Sequence, residues 1–127
     1  MSEDEIGKYV VDCSIKLHME TGPGLLESVY ESLLVYELQQ AGLAVDRQVP
    51  MSLKYKEISF NEGFRADIIV ENKVLLELKS VESVSKVHKK QVLTYLKMTN
   101  LKLGYLLNFG EARMVDGISR ILNGYLD

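Results

Sequence analysis

Apolar positions first recur along this chain with the period of a helix. Ile6, Tyr9, Val10, Cys13 and Leu17 fall on one face of a helix over about 5–19, and TGPG at 21–24 stops it with two glycines and a proline. A second stripe, Leu26, Val29, Tyr30, Leu33, Leu34 and Leu38, predicts a helix over 25–41, with Gly42 placed as its C-terminal cap.

After Gly42 the period shortens to two. Val49, Met51, Leu53 and Tyr55 share one face of a strand, 58–60 begins a return strand, and 64–70 and 74–80 are two further strands. A third helix is expected over 86–99, followed by LGYLLNF at 103–109, apolar on both faces like a strand covered on both sides. The tail RMVDGISRIL fits either a hairpin around Asp116 and Gly117 or a strand followed by a short helix. Helix, helix, three or four strands, helix, strand is a mixed α/β plan, written out as α-α-β-β-β-β-α-β.

Three charges interrupt the two central strands, RADIIVENKVLLELKS at 65–80. With a three-residue turn at Glu71, Asn72 and Lys73, Val70 opposes Val74, and Ala66, Ile68, Val70, Val74, Leu76 and Leu78 form a wholly apolar face. The other face then carries Arg65 opposite Lys79 and Asp67 opposite Glu77, at the end away from the turn. A two-residue turn mixes polar and apolar residues on both faces and is the poorer register. Like charges directly opposed destabilise a sheet, so the two acids need a compensating cation. Lys79 can supply it, as an ion cluster or on a solvated face. So can Mg²⁺, which takes one or two carboxylates and further oxygens such as the Leu78 carbonyl.

Composition narrows the setting. The 127 residues, 46% apolar and 26% charged, suit one globular domain over 1–127 with a sizeable core. Cys13 is the single cysteine, and no apolar run of signal or membrane-spanning length follows MSEDE, so a reduced, cytoplasmic protein with no membrane partner is expected. The net charge of −3 gives no general attraction to polyanions, and any nucleic-acid contact must use a local patch such as Lys86, Lys89, Lys90 and Lys97. His18 and His88 lie in different helices, and no Cys/His spacing supports zinc. Gln91 shares a helix face with Val84, Val87 and Tyr95, so its amide should point inward and find a partner there. Glu27 stands in the first turn of its helix, where the dipole favours a carboxylate with or without a catalytic role.

Asp67 followed by Glu77-Leu78-Lys79 resembles the motif of the PD-(D/E)xK nuclease superfamily. GLLESVY at 24–30 is similar to the name-giving motif of the small GxxExxY family within it, as are Gln91-x-x-x-Tyr95-Leu96 and Leu107-Asn108-Phe109-Gly110 downstream. The likeness runs from the first helix to about Gly110. Ala66 stands where the superfamily usually has proline before its first Asp.

The resemblance implies a restriction-endonuclease-like mixed β-sheet flanked by helices, with a metal-dependent phosphodiester site at its edge. Under it, Asp67, Glu77 and the Leu78 carbonyl are metal ligands, with Mg²⁺ as the ion and Mn²⁺ as its substitute. Lys79 orients or helps deprotonate the attacking water, Glu27 holds a metal-bound water or a second ion, and Gln91 is accessory. The leading expectation is a Mg²⁺-dependent nuclease acting on DNA or RNA. The second is a catalytically silent binding or assembly module, and the third a homodimer with Tyr55, Ile58 and Phe60 as candidate interface residues.

Overall fold

The computed structural model describes residues 1–126. Helix α1 (Glu3–Thr21) begins at a capping box in which the Glu5 N–H donates to Ser2 Oγ at 3.2 Å and the Ser2 N–H to Glu5 Oε1 at 3.3 Å. It buries Ile6, Val10, Cys13 and Leu17 as expected, but Tyr9 turns outward at 39% exposure. Helix α2 (Glu27–Gln40) buries Tyr30, Glu31, Leu34, Val35 and Leu38, whereas Leu26 and Val29 of the expected stripe are 72% and 39% exposed. Its inner face is rotated because a charged residue, Glu31, occupies a place in it. Hydrophobicity alone does not reveal such a placement.

The strands β1 (Val45–Tyr55), β2 (Ile58–Val70), β3 (Val74–Lys79), β4 (Leu103–Asn108) and β5 (Ile118–Leu122) form one sheet in sequence order. Only β3 and β4 are parallel, and α3 (Lys86–Thr99) makes the crossover between them. The expected α/β plan, a mixed sheet flanked by helices, is the observed one. Two details differ. The strands expected at 58–60 and 64–70 are the two ends of β2, and the tail is a 3₁₀ turn, Met114–Gly117, leading into β5.

Helices α1 and α2 cover one sheet face and α3 the other. The first layer gathers Ile6, Leu34 and Leu38 against Ile68, Leu76 and Leu107, all fully buried. Each such side chain contributes about 1.5–3 kcal/mol. The second layer sets Val92 and Leu96 of α3 on Ile69, Leu75 and Leu106. Between them β4 is buried along its whole length, which explains its two apolar faces.

Contacts between the two ends of the chain close the first layer. Arg120 Nη2 binds Asp4 Oδ1 at 2.8 Å, the His18 ring nitrogen Nε2 contacts the Glu111 carbonyl at 2.8 Å, and Gly7 lies so near Tyr105 that a Cβ there would strike its hydroxyl.

The β2–β3 pairing follows the expected register at Val70 opposite Val74, Ile69 opposite Leu75 and Ile68 opposite Leu76. There it ends. Arg65, expected across from Lys79, pairs with Pro50 and binds Glu62 at 2.6 Å, while Lys79 pairs with Asn108. The strands part because β2 continues along β1 and β3 along β4. Alternation also breaks here: Gln48 adopts a left-handed φ of 47°, the β1–β2 ladder skips Gln48 and Asp67, and Ala66 packs with Ile69 and Leu75 instead of with Ile68.

Candidate active site where β2 and β3 part

Two carboxylates fill the gap that the parting strands leave. Asp67 Oδ2 accepts the Leu78 N–H at 2.9 Å, and Glu77 Oε1 accepts the Asp67 N–H at 3.2 Å. Each acid thus satisfies an amide of the other's strand that the interrupted ladder no longer pairs. Glu77 is buried, at 7% exposure. Burial above all, then the Asp67 charge and carboxyl, push the Glu77 pKa up to about 9, against weaker lowering by the Asp67 N–H and Lys79.

On the α2 side, the buried Glu31 carboxylate accepts Arg47 Nη2 at 2.9 Å and Gln48 Nε2 at 2.5 Å. Gln48 Nε2 also lies 3.5 Å from Asp67 Oδ1, so its amide spans the helix acid and the strand acid. Arg47 is further anchored on Ser32 Oγ at 3.0 Å. A cleft of about 180 Å³ lies among Glu27, Ser28, Glu31, Gln48, Asp67 and Leu78.

Glu27 reaches this cleft because the loop before it is tied down. The Tyr30 hydroxyl donates to the Gly22 carbonyl at 2.5 Å and accepts the Leu25 N–H at 3.2 Å, while its ring stacks on Phe109 at 4.5 Å between centroids. Ser80 Oγ, just past Lys79, donates to the Leu25 carbonyl at 2.6 Å and binds that loop to β3. The same end of β3 is held a second time through Asn108. Its Oδ1 accepts the Val81 N–H at 3.1 Å and its Nδ2 donates to the Val81 carbonyl at 3.0 Å.

The remaining candidates stand outside the cleft. Lys79 is half-buried at the end of β3 and, by alternation, shares the α3-side face with Glu77 and Leu75. Gln91 does not point inward as expected. It is exposed, as is Val87 at 71%, because α3 buries Val92 and Leu96 instead. Its Nε2 donates to the Tyr95 hydroxyl at 2.9 Å. That phenol has a raised pKa, from burial first and then from the charges of Glu77 and Asp67.

Asp67, Glu77 and Leu78 are therefore in direct contact, and Glu27 shares a cleft with two of them. Glu31, Gln48 and Arg47 escaped the sequence reading. Glu31 carried a legible signal, since it lies one turn after Glu27 at i+4 on the same helix face. Gln48 carried none, because its role depends on a left-handed backbone beside an irregular ladder.

A model of the PD-(D/E)XK nuclease superfamily matches residues 4–121. The chain belongs to this superfamily. No curated protein matches it. No helix among the described residues is long and apolar enough to cross a membrane.

PD-(D/E)XK nucleases generally use divalent metals. Among the described residues, no three or more His, Cys, Asp or Glu side chains gather to hold an ion. The set on offer is two neighbouring carboxylates and the Leu78 main chain, which suits a hard divalent cation that completes its shell with waters.

Proposed function

We propose that this chain is a metal-dependent nuclease of the GxxExxY kind that hydrolyses DNA or RNA phosphodiester bonds, with Mg²⁺ as its ion and Mn²⁺ as a substitute. The observation that carries the proposal is the interlock of Asp67 with Leu78 and of Glu77 with Asp67, within a chain of the PD-(D/E)XK superfamily. Asp67, Glu77 and the Leu78 carbonyl would hold the ion. When bound, it supplies Lewis-acid stabilisation of the phosphoryl oxygens and lowers the pKa of its water. Lys79 presents a positive charge beside the scissile phosphate and orients the attacking water. Glu27 and Glu31 accept hydrogen bonds from water in the cleft, and Gln48 holds Glu31 and Asp67 at a fixed separation. Gln91 acts as an accessory through Tyr95.

The test is calorimetric titration of Mn²⁺ into the parent and Asp67→Asn proteins, beside cleavage of labelled DNA and RNA in Mg²⁺. The parent is expected to bind and cut, Asp67→Asn to lose both, and Lys79→Ala to bind the ion yet cut at least about 100-fold more slowly. Cleavage that survives Asp67→Asn would overturn the proposal.

A second reading, a binding or assembly module without hydrolysis, draws on the position of Lys79 and Gln91 outside the cleft and on the chain's net charge of −3. It requires salt-dependent nucleic-acid affinity without turnover, unchanged by Lys79→Ala.

A further inference from the structure

Past Asp67 the β1–β2 hairpin leaves the sheet. β3 pairs with β2 only at Ile68, Ile69 and Val70, so among the described residues the outer part of β2 has β1 as its strand partner. In this arm Leu53 opposes Phe60 and Tyr55 opposes Ile58, with Lys54 opposite Ser59 between them. Leu53, Tyr55, Ile58 and Phe60 therefore share one apolar face. It is uncovered, with Tyr55, Ile58 and Phe60 exposed by 61%, 57% and 50%. A two-stranded ribbon gains little stability from a bare aromatic face in water, so this one calls for an occupant.

The face continues onto the α3 side of the molecule. Across an irregularity in the β1–β2 register between Leu53 and Met51, Met51 packs against the α3-side core and opposes Phe64, whose ring stacks on Tyr95 at 4.3 Å. Helix α3 adds Lys86, Lys89, Lys90 and Lys97 and contains no acid, in a chain of net charge −3. All four lysines are exposed, and among the described residues none pairs with a carboxylate. Lys56 Nζ lies over the Tyr55 ring, 5.4 Å from its centroid, with Glu57 beside it in the same turn.

We propose that the hairpin and α3 form one surface for single-stranded nucleic acid, on which unpaired bases stack on Tyr55 and Phe60 while phosphates meet the α3 lysines. The strand then passes Tyr95 on its way to Asp67 and Glu77. This deepens the nuclease reading and rests on it for the nature of the polymer. Stacking needs open base faces, which a duplex hides. A second copy of the chain fits less well, because it would bring the same uncompensated lysines towards these.

The experiment measures fluorescence anisotropy of one labelled sequence, as single strand and as duplex, in chelator. The parent should bind the single strand at least about tenfold more tightly, and Tyr55→Ala and Phe60→Ala should each weaken that binding by roughly 5- to 100-fold. Tyr55→Phe, which keeps the ring, should bind like the parent. Lys89→Ala with Lys90→Ala should reduce the slope of log affinity against log salt by about 1.4. Equal affinity for both forms, or parent affinity after loss of both rings, would overturn the proposal. So would a ring-dependent dimer in sedimentation with strand binding unchanged, which would make the face a self-interface. Ring-dependent strand binding by a protein that never cuts would keep the arm and sink the nuclease reading. Parent cleavage and parent binding without either ring would do the reverse.

Discussion

Glu77 is buried beside the half-buried Asp67, and burial above all, then the Asp67 charge, raises its pKa from 4.5 to about 9 so that it gives up its charge. Since the folded value lies above the unfolded one, the folded chain keeps a proton that the unfolded chain releases. The stability gained is complete below the unfolded value and is lost progressively as the pH rises towards the folded one. Glu77→Gln has no such proton to lose. In chelator its free energy of unfolding should exceed the parent's by a margin that grows from about pH 5 to about pH 9, on the order of 3 kcal/mol at neutrality, read from denaturant unfolding at each pH. Parallel curves for the two proteins would show that Glu77 is not held neutral.

Tyr30 connects the loop before α2 to the core through one hydroxyl and one ring. Tyr30→Phe keeps the stack on Phe109 and removes both hydrogen bonds. Denaturant unfolding should report a loss of about 1–3 kcal/mol, with faster exchange of the Leu25 amide. An unchanged exchange rate would mean that the loop is held by Ser80 alone.

Arg47 pairs with the buried Glu31 carboxylate inside the helix–sheet contact. Arg47→Ala should cost about 1.5–3 kcal/mol, since it removes charge-assisted hydrogen bonds from a buried acid. Adding Glu31→Gln should recover part of that loss, because the charge left unpaired is then gone. A double-mutant cycle with strictly additive costs would deny the coupling.

Gly110 sits so close to Val81 that a Cβ would overlap its carbonyl and amide. Gly110→Ala must push Val81 away from Asn108 and should destabilise the fold by about 1–3 kcal/mol. Asn108→Ala frees the same segment by another route and removes the bonds to Val81 and Gly110. If the two changes act through one element, their combined effect will fall short of the sum.

Much of the central hairpin was legible in the sequence, because alternation and turn length alone set Ile68 opposite Leu76 and Val70 opposite Val74. Alternation says nothing of where a strand changes partner. The turn of β3 towards β4 therefore moved Arg65 and Lys79 apart. The helical stripe of α2 misled for a related reason. A buried, paired Glu31 counts as polar in any pattern, although it belongs to the inner face. Asp67 and Glu77 could be read because their strong local conflict with an apolar surround demands explanation. Gln91 could not, since an exposed amide and an inward one look alike at helical spacing.

The clasp of α1 on β4 and β5, through Asp4 and Arg120, His18 and Glu111, and Gly7 and Tyr105, bears on the order of assembly. These partners lie near opposite ends of the chain, and contacts of such long sequence separation form slowly. In synthesis α1 precedes β4 and β5, so it can pack on α2 before the strands that complete its cover have been made. Asn108, which holds the segment after Lys79, also lies within that late part. The segment after Lys79 is thus fixed only once β4 has formed beside it.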